Sequence, residues 1–81
     1  KTLFELFTRR VADKTFVLRN GVWVDQALGE NPPAERKRVE AFSPAYFALL
    51  AARPALAPYL SLSSRVIVRL GNEVSEIFAP A

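Results

Sequence analysis

Apolar residues recur along this chain with two periods, and the changes from one period to the other mark its elements. Leu3, Phe4, Phe7 and Val11 follow helical spacing. Thr2 and Glu5 precede them in a capping-box arrangement, where the Thr hydroxyl takes the third amide and the Glu carboxylate returns to the cap amide. A helix is predicted there, with Arg9 and Arg10 near its C-terminal end, where the helix dipole favours cations. Its apolar stripe needs a surface to cover it, either this domain's own sheet or a neighbouring domain.

From residue 14 the period becomes two. Phe16 and Leu18 fall on one side and Thr15, Val17 and Arg19 on the other, followed by Asn20-Gly21 and then Val22, Trp23, Val24 and Asp25. Asn-Gly tolerates the positive φ angles that a type I′ turn needs at both central residues, so a hairpin is predicted with Leu18 opposite Trp23 and Val17 opposite Val24. Phe16, Leu18 and Trp23 form the expected inner face. Val17, Val22 and Val24 leave the opposite face apolar enough to call for a second layer or a partner.

Residues 26–35 contain Gly29, Asn31, Pro32 and Pro33, which resist both helix and ladder pairing, and are read as a loop. Residues 39–42 suggest a short strand whose alternation of Val39 and Ala41 against Glu40 and Phe42 does not choose a face. Ser43-Pro44 then starts a helix, because Ser caps free amides and Pro at the first helical position gives up an amide that had no partner. Its predicted inner stripe is Phe47, Leu50 and Ala51, flanked by Tyr46 and Leu49. Pro54 ends it by pushing Arg53 out of the α region. Residues 55–60 form a further helical turn with Leu56, Tyr59 and Leu60 inward.

Residues 65–70 and 73–78 flank Gly71-Asn72, a second hairpin signal. Pairing across it sets Val66 opposite Ile77 and Val68 opposite Ser75, with Val66, Val68, Leu70 and Ile77 on the core side. On the other side Arg69 lies diagonal to Glu76, a partial charge match. The expected fold is α+β: a small antiparallel sheet of two hairpins plus a short strand, packed by an N-terminal helix and a central Pro-interrupted helix. Residues 1–13 read as a helical connector, 14–78 as a single domain, and 79–81 as a tail that frays.

With 81 residues the chain supports one domain and one small core. It has no Cys, which removes disulfides, a thiolate nucleophile and cysteine-held zinc, and no His, which removes the usual base near neutral pH and the commonest metal ligand. It begins at Lys1 and contains no Met, so it is expected to be part of a longer protein. No apolar run approaches the roughly 20 residues that span a bilayer. Net charge is +3, with acidic residues spread among the basic ones. The densest basic run, Arg36-Lys37-Arg38, is bracketed by Glu35 and Glu40 and is shorter than a basic patch requires.

No glycine pattern forms a phosphate cradle, no carboxylate spacing forms a calcium loop, and no serine sits in a nucleophile motif. The chain is therefore read as non-enzymatic and without a cofactor. Phe16, Trp23, Tyr46 and Phe47 are read as core rather than as a stacking platform, because Arg19 lies across the strand from Phe16 and Trp23.

Lys14-Thr15-Phe16-Val17-Leu18-Arg19-Asn20-Gly21-Val22-Trp23-Val24-Asp25 comes first in an ordered series of architectural segments. Phe42-Ser43-Pro44-Ala45-Tyr46-Phe47-Ala48-Leu49-Leu50, Pro54-Ala55-Leu56-Ala57-Pro58-Tyr59-Leu60-Ser61-Leu62 and Val66-Ile67-Val68-Arg69-Leu70-Gly71-Asn72 follow it. This order resembles a module near the C-terminus of bacterial secreted proteins that carry VIT and von Willebrand factor A domains, as in inter-alpha-trypsin inhibitor heavy chains. The resemblance covers residues 14–77 and implies a secreted or periplasmic location. The Asp-x-Ser-x-Ser adhesion motif of von Willebrand factor A domains is absent, so the resemblance transfers no site residue.

The expected function is a noncatalytic accessory or protein-interaction module. Its contacts would be Leu3, Phe4, Phe7, Val17, Val22 and Val24, and its partners other domains of the parent chain or another protein. The alternative is weak binding of nucleic acid or an anionic surface through Arg36, Lys37 and Arg38, which would weaken steeply with salt.

Overall fold

The computed structural model describes residues 6–80. The predicted capping box at Thr2 and Glu5, the stripe residues Leu3 and Phe4, and Ala81 lie outside the described residues.

Six strands form one sheet: β1 (Thr8–Val11), β2 (Lys14–Arg19), β3 (Val22–Asp25), β4 (Lys37–Glu40), β5 (Val66–Leu70) and β6 (Glu73–Phe78). Between β4 and β5 run helix α1 (Pro44–Ala52), a 3-10 turn (Pro54–Leu56) and the single-turn helix α2 (Ala57–Leu60). The strand order is β1-β2-β3-β5-β6-β4. The overall class is α+β, but the sheet is mixed rather than purely antiparallel, because β3 pairs with β5 and β4 with β6 in parallel. The antiparallel pairs are the local hairpins. The parallel ones join segments distant in sequence, where no turn residue fixes direction.

Both predicted hairpins form in the expected register. Leu18 faces Trp23 and Val17 faces Val24, while Val66 faces Ile77 and Val68 faces Ser75. Asn20 and Gly21 both take positive φ, 51° and 79°, as a type I′ turn demands. At the other turn only Gly71 does, at 63°, the pattern of a type II′ turn with Gly in the first central position.

The helix expected to run through Phe7 and Val11 is not what the described residues adopt: Thr8–Val11 is an edge strand paired to β2, with Val11 opposite Lys14. Its two-residue turn, Ala12-Asp13, carries neither Asn nor Gly, and Ala12 itself takes a φ of 54°. A hairpin whose positive-φ position is held by Ala rather than Asn or Gly leaves little mark in the pattern, while the chance spacing of Phe7 and Val11 does.

The core lies between one face of the sheet and the helices. Phe16, Val66, Val68 and Ile77 from the sheet meet Leu56, Tyr59, Leu60, Tyr46 and Leu49, and the Phe16 and Tyr59 rings sit 5.8 Å apart. Each buried aliphatic or aromatic side chain of this kind contributes about 1.5–3 kcal/mol. Val39 and Ala41 join this core, so packing settles the face that the alternation in residues 39–42 left open.

Ser43 caps α1 by accepting the Tyr46 amide at 3.2 Å. The helix is rotated from its expected orientation: Tyr46 and Leu49 are buried, Leu50 is half-buried, and Phe47 and Ala51 are exposed. Every residue of Pro44–Ala52 is apolar or Tyr, so no polar position fixes which side faces water and the sheet decides it. The 3-10 turn and α2 bury Leu56, Tyr59 and Leu60 as expected. No helix among the described residues is long and apolar enough to cross a membrane.

Candidate interaction surface

On the face of the sheet opposite the helices, Val24 and Ile67 are buried at 5% and 7% exposure. The 26–36 connection covers them: Pro32, Arg36 and Glu30 line, with Val22, Val24, Ile67 and Glu76, a concavity of about 300 Å³. The Arg19 guanidinium donates to the Gly29 carbonyl at 2.9 Å and pins this loop. The second layer that the apolar Val17, Val22 and Val24 face calls for is thus supplied within the chain. Val24 is removed from the set of available contacts, whereas Val17 and Val22 stay half-buried. Phe7 is exposed, and its carbonyl accepts the Leu18 amide at 2.8 Å.

The basic tripeptide is split by the strand's alternation. Arg36 and Arg38 reach the same carboxylate, Glu76, at 2.7 and 3.4 Å. Arg36 also donates to the Pro33 carbonyl at 2.6 Å, and Arg38 lies 4.6 Å over the Phe78 ring. Glu76 is therefore not matched to Arg69, whose Nε donates instead to the Gly71 carbonyl at 2.9 Å. The expected Arg69–Glu76 pairing is not made because the two arginines of the loop and β4 reach Glu76 first. Lys37 is on the opposite face, lining a concavity of about 410 Å³ with Ala45, Ala48, Leu49, Ala52 and the ion-paired Arg53 and Glu73. Arg36, Lys37 and Arg38 do not form one cationic surface.

A second polar group sits at the β1–β2 turn. Asp25 is 1% exposed, and its carboxylate is fully engaged. One oxygen accepts the Ala27 amide at 3.0 Å, and the other accepts the Arg69 amide at 3.1 Å and pairs with Lys14 Nζ at 2.9 Å. The β3–β5 ladder ends at Val24 and Ile67, so this side chain takes over an amide for which the ladder has no carbonyl left. Nearby the Tyr59 hydroxyl donates to Asp13, and Lys14 Nζ lies 5.9 Å from the Tyr59 ring centre. The hydrogen bond to Asp13, helped by burial, pushes the Tyr59 hydroxyl up to about 12, and the same bond holds the Asp13 carboxyl below its usual value. Asp13, Lys14 and Asp25 line a shallow concavity of about 390 Å³ with Thr15, Gln26 and Ala27. Its charged groups, Asp13, Lys14 and Asp25, are engaged in internal bonds, and the cluster acts as a clasp between the first hairpin, α2 and β5. Among the described residues no group of three or more His, Cys, Asp or Glu could hold a metal ion.

Among the described residues the exposed large apolar side chains are Leu6 and Phe7 before β1, and Phe42 and Phe47 around the start of α1. Phe42 and Phe47 are 65% and 55% exposed. Both rings lie 5.2 Å from the buried Tyr46 ring, Phe47 edge-on. Phe42 holds a φ of 64°, a left-handed conformation that is unfavourable for a bulky side chain. Around them Ala45, Ala48, Ala51 and Ala52 are exposed along α1. Sequence reasoning placed Phe47 in the core and gave Phe42 no role. The available signal was the complete absence of charge from α1, since a helix apolar all round is ordinarily buried on all sides. No protein-family model, curated protein or solved structure matches this chain.

Proposed function

We propose that this chain is a noncatalytic protein-interaction module that binds through the outer side of α1 and the adjoining Phe42. One observation carries this reading: an uncharged nine-residue helix lies on the surface with Phe42 and Phe47 turned to water. Apolar area of this kind gains free energy when a partner removes it from water, and a contiguous apolar surface is a usual mark of a protein contact. The expected contacts are thus Phe42, Phe47 and the α1 alanines, with Phe7 as a separate exposed position. The alternative through Arg36, Lys37 and Arg38 is the weaker one, because Arg36 and Arg38 share one carboxylate and Lys37 lies on the other face.

Photocrosslinking tests this. Benzoylphenylalanine placed at Phe47 of the full chain is expected to form adducts that map to one surface of one protein. Excess wild-type chain should compete them away, and excess Phe42→Ser/Phe47→Ser chain should not. Adducts scattered over many proteins, no more abundant than those from the same probe at the exposed Gln26, would overturn the reading.

A further inference from the structure

We propose that the partner is an amphipathic helix with carboxylates along one flank, seated on α1 with that acidic flank against Lys37. The inference rests on the interaction-module reading and names the chemistry of the occupant.

At about 3.6 residues per turn, the exposed positions of α1 follow one another round the helix in the order Phe47, Ala51, Ala48, Ala52 and Ala45. That surface carries no charge. On its Ala45 and Ala52 side it continues into the concavity of about 410 Å³ that Lys37 also lines. Arg53 and Glu73, on the same concavity, neutralise each other as an ion pair. Lys37 is exposed and has no hydrogen-bond or ion-pair partner among the described residues, so the groove keeps one uncompensated positive charge.

An occupant of this surface must bring its own backbone hydrogen bonds. The peptide groups of α1 are bonded within the helix and its alanines have no polar side chain, so an extended segment laid here would lose water from its amides and carbonyls without gaining partners. A helix satisfies its backbone internally and presents side chains alone, the mode in which an amphipathic helix lies in an apolar groove. From Ala45 to Ala52 α1 advances about 10 Å, which matches about two turns of a facing helix.

Phe47 bounds this seat on one side and Lys37 on the other, and the difference between the two sets the partner's pattern. Apolar side chains of the partner cover the alanines and Phe47. On the Lys37 side, Asp or Glu one turn apart complements the ammonium, whereas Lys or Arg there brings like charges together. Glu73 does not supply that complement from within the chain, because Arg53 holds it.

Two synthetic peptides of about 18 residues, long enough to be helical alone, test the pairing by amide NMR on the isotopically labelled full chain. Both carry the same stripe of Leu and Ala; one has Glu and the other Lys along one flank. The acidic peptide should shift the amide signals of Lys37 and of residues 45–52, and should bind about five- to tenfold more tightly than the basic one. Lys37→Glu should reverse that preference with an unchanged circular dichroism spectrum. Arg10→Glu changes the net charge equally at an exposed position on β1 and should leave the preference in place. No shift with the acidic peptide up to about 1 mM, equal binding of the two peptides, or a preference that both substitutions alter alike would each overturn the proposal. Phe47 crosslinks that converge on a partner surface other than an acidic helix overturn the helix alone and leave the interaction-module reading standing, whereas scattered adducts overturn both.

Discussion

The Tyr59 hydroxyl and the Asp13 carboxylate make one bond that is felt at both ends of the pH scale. Tyr59 titrates higher in the folded chain, at about 12 against an ordinary 10. Its contribution is therefore fully present below pH 10 and disappears as pH rises from 10 through 12. Asp13 titrates below its ordinary 3.8, so its contribution is present above that value and disappears as pH falls through the lower folded value. Tyr59→Phe should cost about 1 kcal/mol near neutrality for the lost bond. It should also flatten the loss of stability between pH 10 and 12, as measured by urea unfolding at several pH values. An alkaline limb as steep in the variant as in the wild type would show that Tyr59 is not the group responsible. None of this was visible in the chain, because Asp13 and Tyr59 are 46 residues apart and meet only when α2 packs over the first turn. The Asn20-Gly21 turn was visible for the opposite reason, since the backbone there needs what those two residues provide.

Helix α1 separates what an element's pattern can tell from what it cannot. Its start was legible from Ser43-Pro44 and its end from Pro54, because both act through the local backbone. Its orientation was not, because apolar residues occupy every side and only the sheet chooses among them. Its two sides should respond differently to substitution. Leu49→Ala removes a side chain that is 7% exposed and should cost about 2–4 kcal/mol, whereas Phe47→Ser at an exposed position should change stability by no more than about 0.5 kcal/mol. Chemical denaturation of both variants checks the contrast, and equal losses would mean that the helix is turned the other way. Strand β1 carries the complementary lesson: a helical spacing of Phe7 and Val11 was outweighed by pairing with β2, and the turn that permits the pairing is made by Ala12 at 54°.

At the scale of the whole molecule, both hairpins and their registers were legible, and the way the hairpins join was not. Within a hairpin a two-residue turn fixes direction and register; between hairpins only the packing of Phe16, Trp23, Val66 and the helices does. The joint is short, two ladder positions between β3 and β5, reinforced by the Trp23 amide on the Arg65 carbonyl at 3.0 Å and by Asp25 on the Arg69 amide. Amide hydrogen exchange should find β5 and its ladder with β6 most protected and the edge strand β1 least, since the first is buried in mid-sheet and the second frays from a rim. Equal protection of β1 and β5 would contradict that ordering. The narrow joint also makes the molecule divisible. Every strand of one half precedes the 26–36 loop in sequence and every strand of the other follows it. A cut in that loop therefore severs no strand pairing, and it yields two polypeptides that meet in one core, to which the first brings Phe16 and the second the other buried members of the cluster. Expressed apart, they have the layout of a split reporter, in which reassembly of the β3–β5 seam reports that two fused proteins have met.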